Sequence, residues 1–193
     1  MFFIRQPTDA VIRAFLQSQA RLDFTYSETG ATATTPPPGY VVDHTRVRLG
    51  TGEEVFRRAK IGLQGWKQFS LGWLNAFPAN TPLRPGELVA VVAHTFGSWS
   101  VNAARIVYVI DEPRRFGFAY GTMPGHVEQG EERFLIERAD DDSVWYDILA
   151  FSRPRHLLAR IGNPLVRQLQ KRFGRESTAV MLRAVAETTG DAR

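Results

Sequence analysis

The chain of 193 residues contains no cysteine. That absence excludes disulfides, thiol nucleophiles and thiolate-bound zinc or iron–sulfur centres together. Long apolar runs are also missing: no stretch approaches the ~18 residues a membrane-spanning helix needs. The opening Met-Phe-Phe-Ile is broken by Arg5, and no long apolar run with a small-residue cleavage site follows, so no secretory signal is expected. A reducing compartment, the cytoplasm, is the expected location. Lysine is scarce: Lys60, Lys67 and Lys171 are the only three among 24 basic residues, the rest being arginine. The net charge of +4 selects neither nucleic acid nor anionic lipid by itself. There is no internal repeat, no phosphate-binding loop, no Gly-x-Gly-x-x-Gly after a strand and no Gly-x-Ser-x-Gly elbow.

What remains is an ordinary globular composition, 44% hydrophobic and 11% aromatic, in a chain long enough to bury its own core. Residues 7–21 carry a helical stripe of Val11, Phe15 and Leu16 that Thr8 can cap. A Thr- and Pro-rich stretch through Thr32 and Pro36–Pro38 follows and reads as an exposed connector. Residues 1–35 are thus expected to form an N-terminal arm, and 36–190 the main domain. Tyr40–Leu49 reads as a strand. Thr51-Gly-Glu-Glu54 has the spacing of a capping box before a helix bearing Val55, Ala59, Leu63 and Trp66. The aromatic, Gly-punctuated Phe69–Phe77 reads as short turns.

From Leu88 onward the pattern switches to strands: Leu88–Phe96, Val101–Asp111, Arg115–Thr122, His126–Arg138 and Val144–Ser152. Their short connectors predict an antiparallel meander. Asn163-Pro164 then starts a long helix, with Leu165, Leu169, Phe173, Val180 and Ala184 as its apolar stripe and Gly174 as a bend or a point of close approach. The expected fold class is α+β, a curved antiparallel sheet wrapped around the long C-terminal helix, an arrangement that leaves room for a cavity between them.

The segment Phe116–Phe134, FGFAYGTMPGHVEQGEERF, is the candidate site. Phe116, Phe118, Tyr120 and Thr122 share one strand face, while the other carries only Gly117, Ala119 and Gly121. In the next strand His126, Glu128 and Glu132 precede Phe134 and Ile136 at even positions, so alternation turns them toward the same interior unless Gly130 introduces a bulge. Carboxyls buried there need partners, and Tyr120, Arg105, Arg133 and Arg138 are available by composition. Three readings stay open: a structural ion-pair network, a polar anchor for a ligand in an apolar cavity, and acid–base or metal chemistry. No second histidine lies close to His126, so no metal site is assigned, and no motif calls for a cofactor. His44 and His94 read as hydrogen-bonded strand residues and Asp147 as an arginine partner. The stretch Arg153–Arg175 holds Arg153, Arg155, Arg160, Arg167, Lys171, Arg172 and Arg175 without an acid before Glu176, either a solvated face or a contact for phosphates or anionic lipid.

The same Phe116–Phe134 run resembles the hallmark of the DUF1990 family. Phe151-Ser-Arg-Pro-Arg-His156, the helix from Pro164 to Arg175 and the Val55–Trp66 segment are similar to its other parts. The resemblance implies a helix-grip fold of the START and birch-pollen-allergen type, whose members hold lipids, steroids or other apolar molecules and in a minority act as enzymes. It brings no catalytic residues with it. The expected activity is therefore binding of a small apolar or lipid-like ligand. Tyr120, His126, Glu128 and Glu132 would meet its polar end, and Phe116, Phe118, Trp145, Leu165 and Leu169 would form walls. The alternatives are an enzyme using Glu128 or Glu132 as general acid or base, and an adaptor that meets nucleic acid or anionic lipid through the basic C-terminal face. The oligomeric state is not encoded in any motif.

Overall fold

Strand alternation dominates the chain and builds the frame. In the computed structural model the elements run β1 (Phe2–Phe3), α1 (Asp9–Gln19), β2 (Val41–Thr51), α2 (Glu53–Gln64), β3 (Leu74–Phe77), β4 (Leu88–Thr95), β5 (Ser98–Glu112), β6 (Arg115–Thr122), β7 (Glu128–Arg138), β8 (Ser143–Pro154) and α3 (Asn163–Ala186). The structure describes residues 1–154 and 163–186; Arg155, His156 and Arg160, and the expected domain end at residue 190, lie outside them. β4 to β8 form the anticipated antiparallel meander, β2 pairs with β8 at one edge, β3 pairs with β4 at the other, and β1 adds to β5. β3 occupies part of the stretch read as turns. Its four residues, paired with Ala90–Ala93, are too few to display a period of two.

The helix starts follow local chemistry with one correction. Thr8 caps α1, its hydroxyl accepting from the Val11 amide at 3.4 Å. Thr51 does not cap α2. Pairing with Ser143 keeps it in β2, its hydroxyl accepts from Arg48, and Gly52 takes the cap position with no side-chain bond. Glu53 and Glu54 still sit in the first turn, where the helix dipole favours them.

The sheet has two covered faces. Its concave face holds the main core, in which Leu63, Trp66 and Phe69 pack with Phe118, Phe134 and Met181. α3 is seated by the Tyr146 hydroxyl, 2.9 Å from Ser177 Oγ. Gly174 marks close approach: a Cβ there would lie 3.0 Å from Thr45 Oγ1 of β2. On the convex face Ile12, Phe15 and Leu16 of α1 cover Ala90, Val92, Val101 and Met123, each large side chain contributing about 1.5–3 kcal/mol of burial.

The polar connector is held rather than exposed at its centre. Glu131, 3% exposed, accepts from Tyr26 Oη at 2.6 Å, from the amides of Gly30 at 2.7 Å and Thr32 at 3.0 Å, and from the Thr32 hydroxyl. The bare face of β6 is the seat for this segment, because a Cβ on Gly121 would fall 2.1 Å from the Tyr26 hydroxyl. Among the described residues no helix is long and apolar enough to cross a membrane.

Candidate functional site

The site follows from strand parity. β7 pairs with β8 without a register break from Glu128↔Pro154 to Arg138↔Val144, so Gly130 introduces no bulge. Glycine is required at 130 for another reason: a Cβ would lie 1.9 Å from the Phe151 carbonyl oxygen. Parity therefore carries through, and Glu128 and Glu132 share the concave side with Phe134 and Ile136.

Between this end of the concave face and α3 lies a cavity of about 280 Å³. Phe69, Trp73, Val91, Ile148, Leu169 and Phe173 form apolar wall, while Tyr120, His126, Glu128, Glu132, Asn102 and Gln170 bring polar atoms to it. Tyr120 Oη donates to Glu132 Oε2 at 2.6 Å. Gln170 Nε2 donates to Glu128 Oε2 at 2.6 Å and to Ser152 Oγ at 3.2 Å. The Glu128 amide donates to His126 Nδ1 at 3.0 Å, which leaves the proton of a neutral ring on Nε2. Asp43, also on the lining, is matched by Arg167, whose Nη2 lies 2.7 Å from Oδ1 while Nη1 meets Oδ2.

Burial sets the electrostatics. It pushes the Glu132 carboxyl up to about 7, against the Tyr120 hydrogen bond, with the charges of Asp43 and Glu128 adding to the rise. It raises Glu128 as well, partly offset by Ser152, Arg167 and Gln170. It lowers His126 to about 4. Near neutrality the ring is thus uncharged, and burial favours the protonated form of Glu132.

Of the sequence-predicted residues, Tyr120, His126, Glu128, Glu132 and Leu169 border the cavity. Four others stand elsewhere. Phe116 and Phe118 face the concave side but lie under α2 and the turn after it: Trp66 packs its ring 4.9 Å from that of Phe118, and Lys60 Nζ lies 4.6 Å from that of Phe116. Trp145 has the opposite parity to Val144 and Tyr146 in the core, and its ring stacks with Arg46 at 5.0 Å. Leu165 is 43% exposed, because the cavity-facing stripe of α3 runs through Val166, Leu169, Gln170, Phe173 and Gly174, one residue further round the helix.

The expected arginine partners serve other groups. Arg105 donates to the carbonyls of Gln19 and Ala20, Arg133 binds Asp147 at 2.8 Å, and Arg138 binds Asp142 at 2.5 Å. Asp147, 2% exposed, also meets His44 at 2.7 Å, and His94 stacks on Trp99 at 4.5 Å. In the basic segment Arg153 lies over Tyr40, and Arg172 lies over Trp73 while pairing with Glu176 at 2.7 Å. Among the described residues no three His, Asp or Glu side chains are placed to hold a metal ion.

Asn102, Asp43 and Gln170 were not anticipated. Asp43 and Gln170 stand among other polar residues, which gives them no distinguishing signal in the sequence. The signal for Asn102 is its isolation between Val101 and Ala103 in a buried strand.

A curved antiparallel sheet gripping a long helix, with a cavity between them, defines a helix-grip protein. Solved structures agree. Human STARD10 superposes with a TM-score of 0.50 at 12% identity over 95% of this chain and 82% of its own. A Thalictrum norcoclaurine synthase mutant gives 0.51 at 13% identity over 78% and 98%, and a hypothetical protein from Helicobacter pylori 0.51 at 15% over 75% and 89%. At these identities the likeness is one of fold. The chain belongs to the family described as domain of unknown function DUF1990, whose model matches residues 25–180. It is similar to UPF0548 proteins of Deinococcus radiodurans, 38% identical over 95% of this chain and 98% of the relative, and Dictyostelium discoideum, 36% identical over 96% of each.

Proposed function

We propose that this protein binds a small apolar molecule in the concave cavity and orients the molecule's polar end on Glu132, Tyr120, Glu128 and His126. The observation that carries the reading is a void of about 280 Å³ with aromatic and aliphatic walls and a few polar groups gathered on it, the composition of small-molecule pockets generally. The volume of about 280 Å³ falls just below the ~300–1,000 Å³ typical of such sites. It suits a compact ring system or a short alkyl chain, not a two-chain lipid. A structural relative, the norcoclaurine synthase mutant, was captured with a transition-state analogue, which supports a small molecule as the occupant here.

The test is native mass spectrometry of the purified protein together with titration of a neutral apolar fluorophore. A co-purifying apolar mass, or saturable fluorophore binding abolished by Ala150→Trp, is the expected result, because Ala150 lines the cavity and lies opposite Glu132. No bound mass and no saturable binding would overturn the proposal.

The second reading is an enzyme, favoured by one observation: a carboxyl pushed up to about 7 is matched to general acid–base work at neutral pH. NMR titration that places Glu132 at an ordinary ~4.3 removes its basis. An adaptor role for the basic face has less support, since Arg153, Arg167 and Arg172 are engaged within the chain.

A further inference from the structure

Hydrogen-bonding capacity in the cavity is lopsided. Glu132 receives one donor, the Tyr120 hydroxyl, at Oε2. Glu128 is better supplied, with side-chain hydrogen bonds from Gln170, at Oε2, and from Ser152. Asn102, 8% exposed and on the cavity lining, directs Nδ2 to Ser100 Oγ at 3.3 Å and leaves Oδ1 buried without a partner. Glu132 and the Asn102 amide oxygen thus hold unused acceptor capacity, and a buried acceptor without a donor, as Asn102 Oδ1 is, costs about 1–3 kcal/mol.

The positive charges that would ordinarily meet such groups are committed. Arg167 is bound to Asp43, Arg133 to Asp147 and Arg138 to Asp142. Among the described residues no lysine or arginine forms an ion pair with Glu128 or Glu132. The donors already in the cavity, Tyr120 Oη and Gln170 Nε2, point at these same carboxylates. The walls next to them are the rings of Phe69, Tyr120 and Phe173, with Phe69 and Tyr120 centred 6.0 Å apart; aromatic faces attract cations.

We infer that the ligand of this cavity is a small apolar amine, whose ammonium group donates to Glu132 within the negative field of Glu128 while its hydrocarbon part fills the space under α3. This rests on the cavity-binding reading and sharpens it. A desolvated carboxylate gains most from a cation that supplies both charge and donors. A carboxylic acid would bring a further acidic group beside Glu128 and Glu132, and an alcohol would bring one donor without charge. The raised Glu132 carboxyl fits the same picture, since it releases its proton when a cation arrives.

The experiment compares n-octylamine, 1-octanol and octanoic acid by calorimetry on the full chain, at pH 6 and pH 8. The amine is expected to bind at least roughly tenfold tighter than the alcohol at pH 8, the scale of one charge-assisted hydrogen bond, with the acid weakest. At pH 6 amine binding is weaker and releases a proton, visible as a dependence of heat on the ionisation enthalpy of the buffer. Glu132→Gln abolishes the preference for amine over alcohol and the proton release, and a cooperative thermal unfolding transition shows that the variant is folded. Glu128→Gln, as the second variant, lowers the preference without removing it. Equal affinity for amine and alcohol, or a preference for the acid, would overturn the amine assignment and leave the cavity reading intact. No binding of any of the three would count against the cavity reading itself.

Discussion

Glu131 and Glu132 are neighbours in the chain with opposite environments. Glu131 points through the convex face into four donors from the connector, while Glu132 points into the cavity with one hydroxyl for company. The first is structural. Tyr26→Phe removes one charge-assisted bond to it, and urea denaturation is expected to show a loss of about 1.5–3 kcal/mol with apolar-probe binding unchanged. The second is a titrating group. Its folded pKa of about 7 lies above the ordinary glutamate value of 4.5, so its contribution to stability is fully present below that ordinary value and is lost as pH rises through about 7. His126, depressed from 6.5 to about 4, has the reverse sign: its contribution is present above 6.5 and lost as pH falls through about 4. Relative to Glu132→Gln, the natural protein should therefore lose stability between pH 5 and pH 8 in equilibrium unfolding. A difference that stays flat over that range would contradict the burial of this carboxyl. Parity alone made the direction of Glu132 legible in the sequence. The partner of Glu131 was not legible, because Tyr26 lies 105 residues away and the glycines that admit it read merely as a bare face.

At the scale of elements, α3 shows how a correct helix can carry a stripe that is right at its centre and drifts at its ends. Leu169 and Phe173 of the expected stripe line the cavity, whereas Leu165 is 43% exposed and Met181, 0% exposed, is buried in place of the half-buried Val180. Ser177, 0% exposed, continues the same face as a polar residue because the Tyr146 hydroxyl bonds it. A pattern read from hydrophobicity skips such a serine and resumes at Val180 instead of Met181. Phe173→Ala should destabilise by about 3–5 kcal/mol and Leu165→Ala by no more than about 0.5 kcal/mol, measured by chemical denaturation. The same limit applied to β3, too short for a period, and to Trp145, where aromatic character outweighed an alternation that puts Tyr146 inward. The meander β4–β8 was legible because long strands joined by short turns leave few other pairings.

On the scale of the whole molecule, one sheet works on both faces. Residues of the hallmark segment alternate between holding the segment from Tyr26 to Thr32 from outside and furnishing the cavity from inside: Gly121 and Glu131 serve the first, Tyr120 and Glu132 the second. Such a division predicts that ligand effects are confined to one side of the sheet. Methyl NMR of the full chain, titrated with a small neutral apolar probe such as 1-octanol, reads this directly. The expected result is saturable shifts at Val91, Ile148, Val166 and Leu169, which line the cavity, with Ile12, Val92, Val101 and Met123 of the convex cluster unmoved. Shifts centred on the convex methyls, or none at saturating probe, would contradict a concave ligand site.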